Sequence, residues 1–375
     1  MDLVANMLFD RLTAEHGRTV EVQLIRPPMR RRASRLPGTR GSRAAFTVDR
    51  FTNRLWDYPR EMRSLAACFD VFHIVDHSYS QLVHRLPAAR TLVTCHDLDT
   101  FRSVLEPEIE QRSTVFRAMT RHILDGLRKA GHIACDTAAT RDALVLRAGI
   151  DSAVMTVVPN GPHPSCSPAP EPVADAEAAR LLGPAGAAPE LLHVGSTIAR
   201  KRIDVLLAIV AVVRTVVPNV RLVRVGGPFT AEQRALAREL GVDDAVTVLP
   251  FLDRSTLAAV YRRSALVLMP SEREGFGLPV IEAMACGTPV AASDIDAMRE
   301  VGDRAALYCR PGDVEAWART VVGALAERRS RPEAWQGRRD AAVERSRAFS
   351  WSRYAADVVA LYRRLAPTVM EAAAG

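Results

Sequence analysis

One nine-residue segment carries more information about the fold than any other part of the sequence: Glu274-Gly275-Phe276-Gly277-Leu278-Pro279-Val280-Ile281-Glu282. The apolar run at residues 265–271, just before it, is typical of a buried parallel strand. Residues 279–285 have a proline in the first turn and Gly287 just past the end, which predicts a short helix. The segment is therefore expected to form a loop at the carboxyl end of a parallel strand, where open α/β sheets bind their ligands.

The residue types of this loop suit a ligand rich in hydroxyl groups. Its glycines let backbone N–H groups approach a ligand closely, and the free amides at the helix start can bind a phosphate or a hydroxyl. Glu274 and Glu282 add two carboxylates, which accept strong hydrogen bonds from a sugar and a ribose. Taken alone, such a pair is more often two ordinary surface acids beside a strand-to-helix turn.

A second predicted strand in the same half favours a ligand-binding role for these two acids. It is predicted at residues 191–194, ends at Gly195-Ser196, and is soon followed by Arg200-Lys201-Arg202 at the start of an apolar helix. Taken alone, such cations more often lie in the solvent-exposed first turn of a helix and have no ligand. Together with the acidic loop they predict a site for a diphosphate, because Arg offers a planar fork and Lys a compact point charge.

The rest of the chain alternates short β-rich runs with helical patterns. This alternation predicts an α/β fold with parallel sheets, and 375 residues suit two such units. In the first half we predict strands near residues 20–25, 71–75, 91–95, 132–135 and 155–158. In the second half they fall near residues 191–194, 221–225, 246–249, 265–269, 289–292 and 306–309.

Domain boundaries follow from a proline-rich run. Residues 162–172, and the Ala/Gly/Pro-rich stretch that continues to residue 189, predict a linker because proline fixes its own dihedral angle. We therefore expect an N-terminal domain at residues 1–165, a linker at 166–188, a C-terminal domain at 189–345 and a final helical segment at 346–375.

The start of the chain departs from the usual order of a doubly wound domain. Such a domain opens with a strand and a glycine-rich turn, whereas here a helical pattern at residues 3–15 comes first. Either the first strand and its glycine-rich loop are missing from this version of the chain, or the fold starts differently.

His96 is the candidate functional residue of the first half. It follows the strand predicted at residues 91–95, and it would face an interdomain cleft if the two sheets oppose each other. Its neutral form at physiological pH could orient a reacting sugar or share a developing charge. A histidine satisfied by the backbone is an equally good interpretation of this position.

Taken in order and spacing, the motifs between Leu191 and Pro311 resemble the family 4 glycosyltransferases of the "glycosyl transferases group 1" type. Weaker similarity extends back through His96-Asp97, and Phe349-Ser350-Trp351 resembles the start of the family's last helix, which crosses back to the first domain. The resemblance implies the GT-B fold, in which two Rossmann-like doubly wound domains face each other across a cleft. It also implies that the domain at residues 1–165 is on the acceptor side and that the domain at 189–345 binds the nucleotide-sugar donor.

The resemblance also assigns roles to individual residues. It implies that Glu274 holds hydroxyls of the transferred sugar, that Glu282 holds the ribose, and that His96 lies beside the reacting sugar. Arg200 and Lys201 would bind the diphosphate. The remaining donor contacts would come from the glycine-rich loop and the end of the first strand of this half: Gly195, Ser196, Gly275, Phe276, Gly277 and Leu278.

The predicted activity is transfer of a hexose-type sugar from a nucleotide-diphosphate-sugar to a hydroxyl acceptor, which is a sugar or a lipid-linked molecule of cell-surface polysaccharide or glycolipid assembly. Retention is expected, and no metal or cofactor is expected because no DxD motif is convincingly placed to hold an ion. Two alternatives stay open: a non-catalytic GT-B homologue that binds a nucleotide or a partner, and a nucleotide-sugar epimerase. Val225-Gly226-Gly227 is not a GxGxxG fingerprint, which argues against a nicotinamide oxidoreductase.

Charge and hydropathy predict the location of the protein and one further contact. The formal charge is +7, and the basic excess concentrates between Arg26 and Arg43, which we expect to be a mobile loop. It could be solvated, contact an anionic membrane surface or clamp an anionic acceptor. Nucleic acid is not expected as a partner, because no aromatic-rich pattern accompanies the charge. With no apolar run of about 20 residues and no visible leader, we expect a cytoplasmic protein, peripheral at the inner membrane face if the basic segment binds lipid.

Overall fold

The computed structural model describes residues 2–39, 41–184, 186 and 188–366, which form two compact units. The first unit contains the described residues up to Pro159 together with those from Trp351 onward, and the second spans Asn160–Ser350. Both units are built from parallel β-sheets and helices, so the α/β class is confirmed.

The sheet of the first unit has four parallel strands in the order β1-β2-β3-β4. In-register pairs such as Cys95 with Cys135 bring the carboxyl ends of β2 and β3 side by side. The strands are β1 (Phe72–Ile74), β2 (Thr91–Cys95), β3 (His132–Cys135) and β4 (Met155–Val157). The helices are α1 (Asp2–His16), α2 (Arg43–Thr52), α3 (Tyr58–Leu65), α4 (Arg102–Leu105), α5 (Thr114–Lys129) and α6 (Ala138–Ala148).

One expectation for the start of this unit is wrong. Residues 20–25 do not pair as a strand; Val20 and Val22 instead pack against the cluster formed by α1 and the last helix, which accounts for their alternating apolar pattern. Part of the basic segment, between residues 30 and 34, is bound by side chains of α2 and of the turn that follows it. Asp49 accepts hydrogen bonds from the backbone N–H groups of residues 32, 33 and 34. The Asn53 side chain accepts a hydrogen bond from the N–H of Arg30 and donates one to its carbonyl oxygen.

The sheet of the second unit has six parallel strands in the order β10-β9-β8-β5-β6-β7, so that β5 and β8 are neighbours at its centre. The strands are β5 (Glu190–Val194), β6 (Arg221–Val225), β7 (Val246–Leu249), β8 (Leu266–Met269), β9 (Val290–Ser293) and β10 (Leu307–Cys309). The helices are α7 (Pro172–Leu182), α8 (Ile203–Arg214), α9 (Ala231–Glu239), α10 (Arg254–Arg263), α11 (Leu278–Ala285), α12 (Asp296–Gly302), α13 (Val314–Ser330) and α14 (Pro332–Ser346). All six strands were predicted to within one residue at each end.

The proline-rich stretch is structured differently from the expected linker. Its last proline, Pro172, occupies the first turn of α7, where a missing N–H costs nothing. Ala174, Ala178 and Leu182 of this helix are buried in the core of the second unit, which therefore begins near residue 160 instead of residue 189.

The last helix, α15 (Trp351–Leu365), belongs to the first unit. Its buried face, including Tyr354 and Val358, packs with Val4 and Leu8 of α1 and with Leu92 of β2. None of the helices among the described residues has the length and hydrophobicity needed to cross a membrane.

Candidate active site

The acidic motif lies on the loop between β8 and α11. β8 ends at Met269, and α11 begins at Leu278 with Pro279 in its first turn. Gly277, just before the helix, has φ 90°, which is the left-handed region that favours glycine. A Cβ atom there would also lie 3.1 Å from the sulfur of Met298. Glycine is therefore required at this turn, which sets the direction of the free amides at the helix start.

Glu274 forms a buried ion-pair cluster with two cations. Its Oε2 atom accepts a hydrogen bond of 2.8 Å from Arg200 Nη1, and its Oε1 atom accepts one from Lys201 Nζ. The Glu274 side chain is 6% exposed. Burial raises the pKa of this carboxyl group, but Lys201 and Arg200 outweigh that effect and hold the pKa below its usual value. Glu274 is therefore ionised, and the structure brings the predicted acidic loop and the predicted cations together.

Backbone contacts tie the two loops of this cluster to each other. The N–H of Glu272 donates to the carbonyl oxygen of Arg200 at 2.8 Å, and Arg200 Nη1 donates to the carbonyl oxygen of Arg273 at 2.9 Å. The loop after β5 and the loop after β8 thus form one structure at the carboxyl ends of two adjacent strands.

Glu282 is held by a separate pair of donors inside the second unit. Tyr261 on α10 donates its hydroxyl to Glu282 Oε2 at 3.2 Å, and Arg254 Nη1 lies 3.3 Å from Oε1. Burial raises the pKa of Glu282, although Arg254 and Tyr261 act in the opposite direction. Glu282 is a poorly solvated carboxyl group fixed in one orientation, with further capacity to accept hydrogen bonds.

Gly195 lies where the loops after β5 and β6 approach each other. A Cβ atom on Gly226 would lie 2.0 Å from the carbonyl oxygen of Gly195, so the two backbones are in direct contact. A Cβ atom on Gly195 would lie within 3.7 Å of the aliphatic part of Lys201. The predicted glycine position thus lies beside the cation cluster, with the half-buried Ser196 next in the chain.

His96 follows β2 in the first unit, as expected, but its charge state differs from the expected one. Its Nδ1 atom lies 2.7 Å from Asp136 Oδ2 and its Nε2 atom 2.7 Å from the carbonyl oxygen of Val75. Both partners are acceptors, so both ring nitrogens carry hydrogen. Burial lowers the pKa of His96, but Asp136 and the Val75 carbonyl outweigh it and raise the pKa to about 9. These contacts favour the imidazolium form of His96 over the neutral imidazole that we expect from the sequence.

Several polar residues of these networks were missed in the sequence. Asp136 directly follows β3, as His96 follows β2, so the rule that ligand-binding residues follow parallel strands could have identified it. Tyr261 and Arg254 lie on α10, and no local pattern connects them with Glu282. His193 and Arg224 lie inside strands and are fully buried, and only their polarity within apolar runs distinguishes them.

Within the part of the chain that the structure describes, no three His, Cys, Asp or Glu side chains converge as the ligands of a metal ion would. Metal independence stays a prediction.

Comparison with known families covers most of the chain. A model described as "Glycosyltransferase Family 4" matches residues 6–165, and one described as "Glycosyl transferases group 1" matches residues 188–327. Both halves of the chain thus match models of this glycosyltransferase family. The resemblance predicted from the 274–282 motif and its surroundings is confirmed. The first unit matches one model, and most of the second unit matches the other.

Individual relatives agree with this assignment. A D-inositol 3-phosphate glycosyltransferase from Mycobacteroides abscessus is 41% identical over 156 residues, which are 39% of this chain and 34% of the relative. Another of that name from Kineococcus radiotolerans is 32% identical over 247 residues, covering 57% of this chain and 56% of the relative. The chain thus spans about a third to somewhat over half the length of these relatives.

Solved structures confirm the GT-B fold of two Rossmann-like units. Sucrose-phosphate synthase from Thermosynechococcus elongatus superposes with a TM-score of 0.69 at 26% identity, covering 84% of this chain and 79% of that one. HepE from Anabaena, solved in complex with UDP and glucose, gives a TM-score of 0.68 at 18% identity, covering 83% and 82%. At that identity HepE supports the fold alone.

The Tyr261→Phe variant is expected to lower the free energy of unfolding by about 1–2 kcal/mol, because a buried carboxyl group loses one of its two donors. The measurement is urea denaturation at neutral pH. Tyr308→Phe is a matched control, since that hydroxyl donates to a neutral acceptor, the carbonyl oxygen of Met298 at 3.1 Å. An equal or smaller loss for Tyr261→Phe than for the control would contradict the bond to Glu282.

The pKa of about 9 makes the contribution of His96 to stability depend on pH. A folded-state pKa above the unfolded value of about 6.5 stabilises the fold fully below pH ~6.5, and this stabilisation is lost as the pH rises through about 9. We expect the difference in unfolding free energy between wild type and His96→Gln to shrink by on the order of 3 kcal/mol across that window.

His73→Gln serves as the control for this experiment. Burial lowers the pKa of His73 to about 3, so its contribution is expected to stay constant between pH 6.5 and 9. NMR titration of the ring nitrogens provides a direct second measurement. A His96 ring that titrates near the ordinary value would contradict the imidazolium assignment.

Proposed function

We propose that this glycosyltransferase moves a hexose-type sugar from a nucleoside-diphosphate sugar to a hydroxyl acceptor, with retention at the anomeric carbon and without a metal ion. One observation carries the proposal: Glu274, Arg200 and Lys201 form a single cluster at the carboxyl ends of β5 and β8. A carboxylate suits sugar hydroxyls and paired cations suit a diphosphate, so both parts of a donor find partners in this cluster.

Each predicted residue has a role in this proposal. Glu274 binds hydroxyls of the transferred sugar, and Arg200 with Lys201 bind the diphosphate. Glu282, which has further acceptor capacity, binds the ribose. The remaining donor contacts come from the loop amides of Gly275, Phe276, Gly277 and Leu278 and from Gly195 and Ser196, which directly follow β5.

The proposed reaction needs stabilisation of charge more than proton transfer by the protein. Breaking the bond between the anomeric carbon and the phosphate oxygen leaves positive charge on the sugar ring and negative charge on the diphosphate. Arg200 and Lys201 stabilise the leaving diphosphate electrostatically. The acceptor hydroxyl attacks from the face that the diphosphate leaves, and the departing phosphate oxygen takes its proton, which retains the anomeric configuration. His96, as an imidazolium, would contribute charge rather than accept a proton.

Titration calorimetry with a panel of GDP-, UDP- and ADP-sugars tests this proposal. We expect binding of at least one donor, transfer that EDTA leaves unchanged, and an NMR spectrum of the product with the anomeric configuration of the donor. Absence of binding across the panel would overturn the donor site. An inverted product, or activity lost with EDTA and restored by Mg²⁺, would overturn retention or metal independence. Formation of a different sugar nucleotide from the donor, without any acceptor, would instead indicate an epimerase.

The acceptor is proposed to be a hydroxyl-bearing sugar or lipid-linked molecule of cell-surface polysaccharide or glycolipid assembly. The names of two relatives contain D-inositol 3-phosphate, a molecule that carries several hydroxyl groups and a negatively charged phosphate. The basic segment from Arg26 to Arg43 offers complementary charge on the first unit.

We also propose that this region of a cytoplasmic enzyme contacts the inner face of an anionic membrane. Exposed arginines at positions 30, 31 and 35 lie near large exposed apolar side chains in sequence: Leu36, Phe46, Val48, Leu55 and Trp56. Arginine contributes about 1 kcal/mol each near an anionic lipid surface, and exposed Trp suits the membrane interface.

Vesicle co-sedimentation tests the membrane contact. Binding is expected to vesicles of phosphatidylcholine with phosphatidylglycerol and not to phosphatidylcholine alone. Substituting Arg30, Arg31 and Arg35 with glutamine should weaken binding by about 100-fold, from roughly 1 kcal/mol per arginine. The matched control substitutes three exposed arginines of the second unit: Arg304, Arg319 and Arg329. Equal binding of both triple variants would contradict this part of the proposal.

A further inference from the structure

Arg224 is a fully buried cation whose hydrogen bonds, among the described residues, all go to backbone carbonyl groups. It lies on β6, and its guanidinium donates to the carbonyl oxygens of Gly195 at 2.9 Å, of Gly226 at 3.5 Å and of Gly227. Among the residues that the structure describes, it forms no ion pair with a carboxylate. A buried charge without a counterion is costly, so its position calls for an explanation beyond packing.

The surroundings fix the guanidinium but leave its charge uncompensated. The ring of Phe229 lies 5.3 Å from its central carbon. His193, its in-register neighbour on β5, is fully buried, and both of its ring nitrogens lack a hydrogen-bond partner. Burial, followed by the charges of Lys201 and Arg224, lowers the pKa of His193 to about 3, so this ring is neutral. Arg224 is therefore the charged member of this pair.

Two of the three carbonyl contacts determine how the loops after β5 and β6 present their N–H groups; the third carbonyl, that of Gly227, precedes Pro228, which has no N–H. In a planar trans peptide, the carbonyl and the N–H of the next residue point in opposite directions. The carbonyl groups of Gly195 and Gly226 point to the guanidinium, so the N–H groups of Ser196 and Gly227 point away from it. Both N–H groups lie just past the carboxyl ends of β5 and β6, where a Cβ atom on Gly195 would come within 3.7 Å of the aliphatic part of Lys201.

We propose that Arg224 is a positioning residue of the donor site: by binding these carbonyl groups, it aims the N–H groups of Ser196 and Gly227 at the diphosphate of the donor. Successive oriented N–H groups form an anion-binding concavity, and a buried positive charge behind them strengthens it. The inference rests on the proposed donor site. Arg224 itself touches no substrate in this arrangement and acts through the backbone of the two loops.

Arg224→Met and Arg224→Lys test the inference, with inorganic pyrophosphate as a probe that does not depend on the base of the donor. Titration calorimetry should show affinity about tenfold lower for Arg224→Met. Arg224→Lys should fall between, because it keeps the charge but lacks the planar fork. In transfer assays the KM for the donor should rise more than kcat falls. Pyrophosphate affinity and donor KM equal to wild type in a folded Arg224→Met protein would overturn the inference.

Arg221→Met is the matched control. Arg221 lies at the opposite end of the same strand, and its guanidinium also reaches a backbone carbonyl, that of Leu182 at 3.5 Å. Its substitution should leave pyrophosphate affinity unchanged. An equal loss of affinity in Arg221→Met would show that any damage to β6 has this effect, and would overturn the positioning role.

A measurement on the wild-type protein keeps the inference testable if Arg224→Met does not fold. Pyrophosphate should shift the backbone amide NMR signals of Ser196 and Gly227, and absence of both shifts would overturn it. The outcomes separate the two proposals. A wild-type protein that binds a nucleotide sugar without these shifts contradicts only the role of Arg224, whereas one that binds neither ligand contradicts the donor site itself.

Discussion

Replacing Glu274 with glutamine is expected to lower kcat/KM for sugar transfer at least about 100-fold, or roughly 3 kcal/mol. The amide keeps the shape of the side chain but cannot accept charge-assisted hydrogen bonds from sugar hydroxyls at both oxygens. It also leaves Arg200 and Lys201 without their shared carboxylate. Initial rates over a range of donor concentrations measure the effect, and urea denaturation shows whether the variant is folded.

Glu272→Gln is the control on the same loop. Its side chain is 49% exposed and forms a surface ion pair with Arg273, an interaction worth little in solution. Transfer by this variant should stay within about twofold of wild type. If a folded Glu274→Gln protein were equally active, Glu274 would not be a ligand of the transferred sugar.

The Lys201→Met variant is expected to weaken donor binding by about 30-fold, since a charge-assisted contact to the diphosphate contributes roughly 2 kcal/mol. kcat should fall as well, because less positive charge remains to stabilise the leaving diphosphate. Calorimetry with the donor and with the nucleoside alone distinguishes loss of the diphosphate contact from general damage to the binding site. Affinity for the nucleoside should change little.

Arg202→Gln tests whether any loss of positive charge at this turn has the same effect. Arg202 directly follows Lys201 in the chain, but its guanidinium pairs with Asp204, which is largely exposed. Donor affinity should therefore stay close to wild type. Unchanged donor affinity together with unchanged transfer in Lys201→Met would exclude Lys201 as a diphosphate ligand.

The sequence predicts this fold well where strands are buried on both sides. β8 and the first three residues of β9 are continuous apolar runs, and such runs identify parallel strands directly. Residues 20–25 show the limit of the same rule, because an alternating apolar pattern also arises where an extended segment packs on helices. The helix α7 was missed for a related reason: the prolines that precede it hide a good helical pattern.

The sequence predicts the motifs of the candidate site, but not which side chains form hydrogen bonds with them. The acidic loop and the Arg-Lys turn stand at the ends of strands, so their convergence follows from sheet topology. The partners of Glu282 come from α10, 21 and 28 residues earlier in the chain, and only the packing of helices brings them there. The charge of His96 depends on Asp136, 40 residues away, so the sequence gives its position but not its protonation.

The ion pairs of Glu274 with Arg200 and Lys201 also bear on turnover. Under the proposed function, the intact donor replaces these ion pairs. Its sugar hydroxyls bind Glu274, and its diphosphate binds Arg200 and Lys201. After transfer the sugar has left, and the nucleoside diphosphate alone satisfies the cations but leaves Glu274 without partners. The carboxylate then competes with the product for the same two cations, so the enzyme is expected to favour product release and to discriminate against the spent nucleotide.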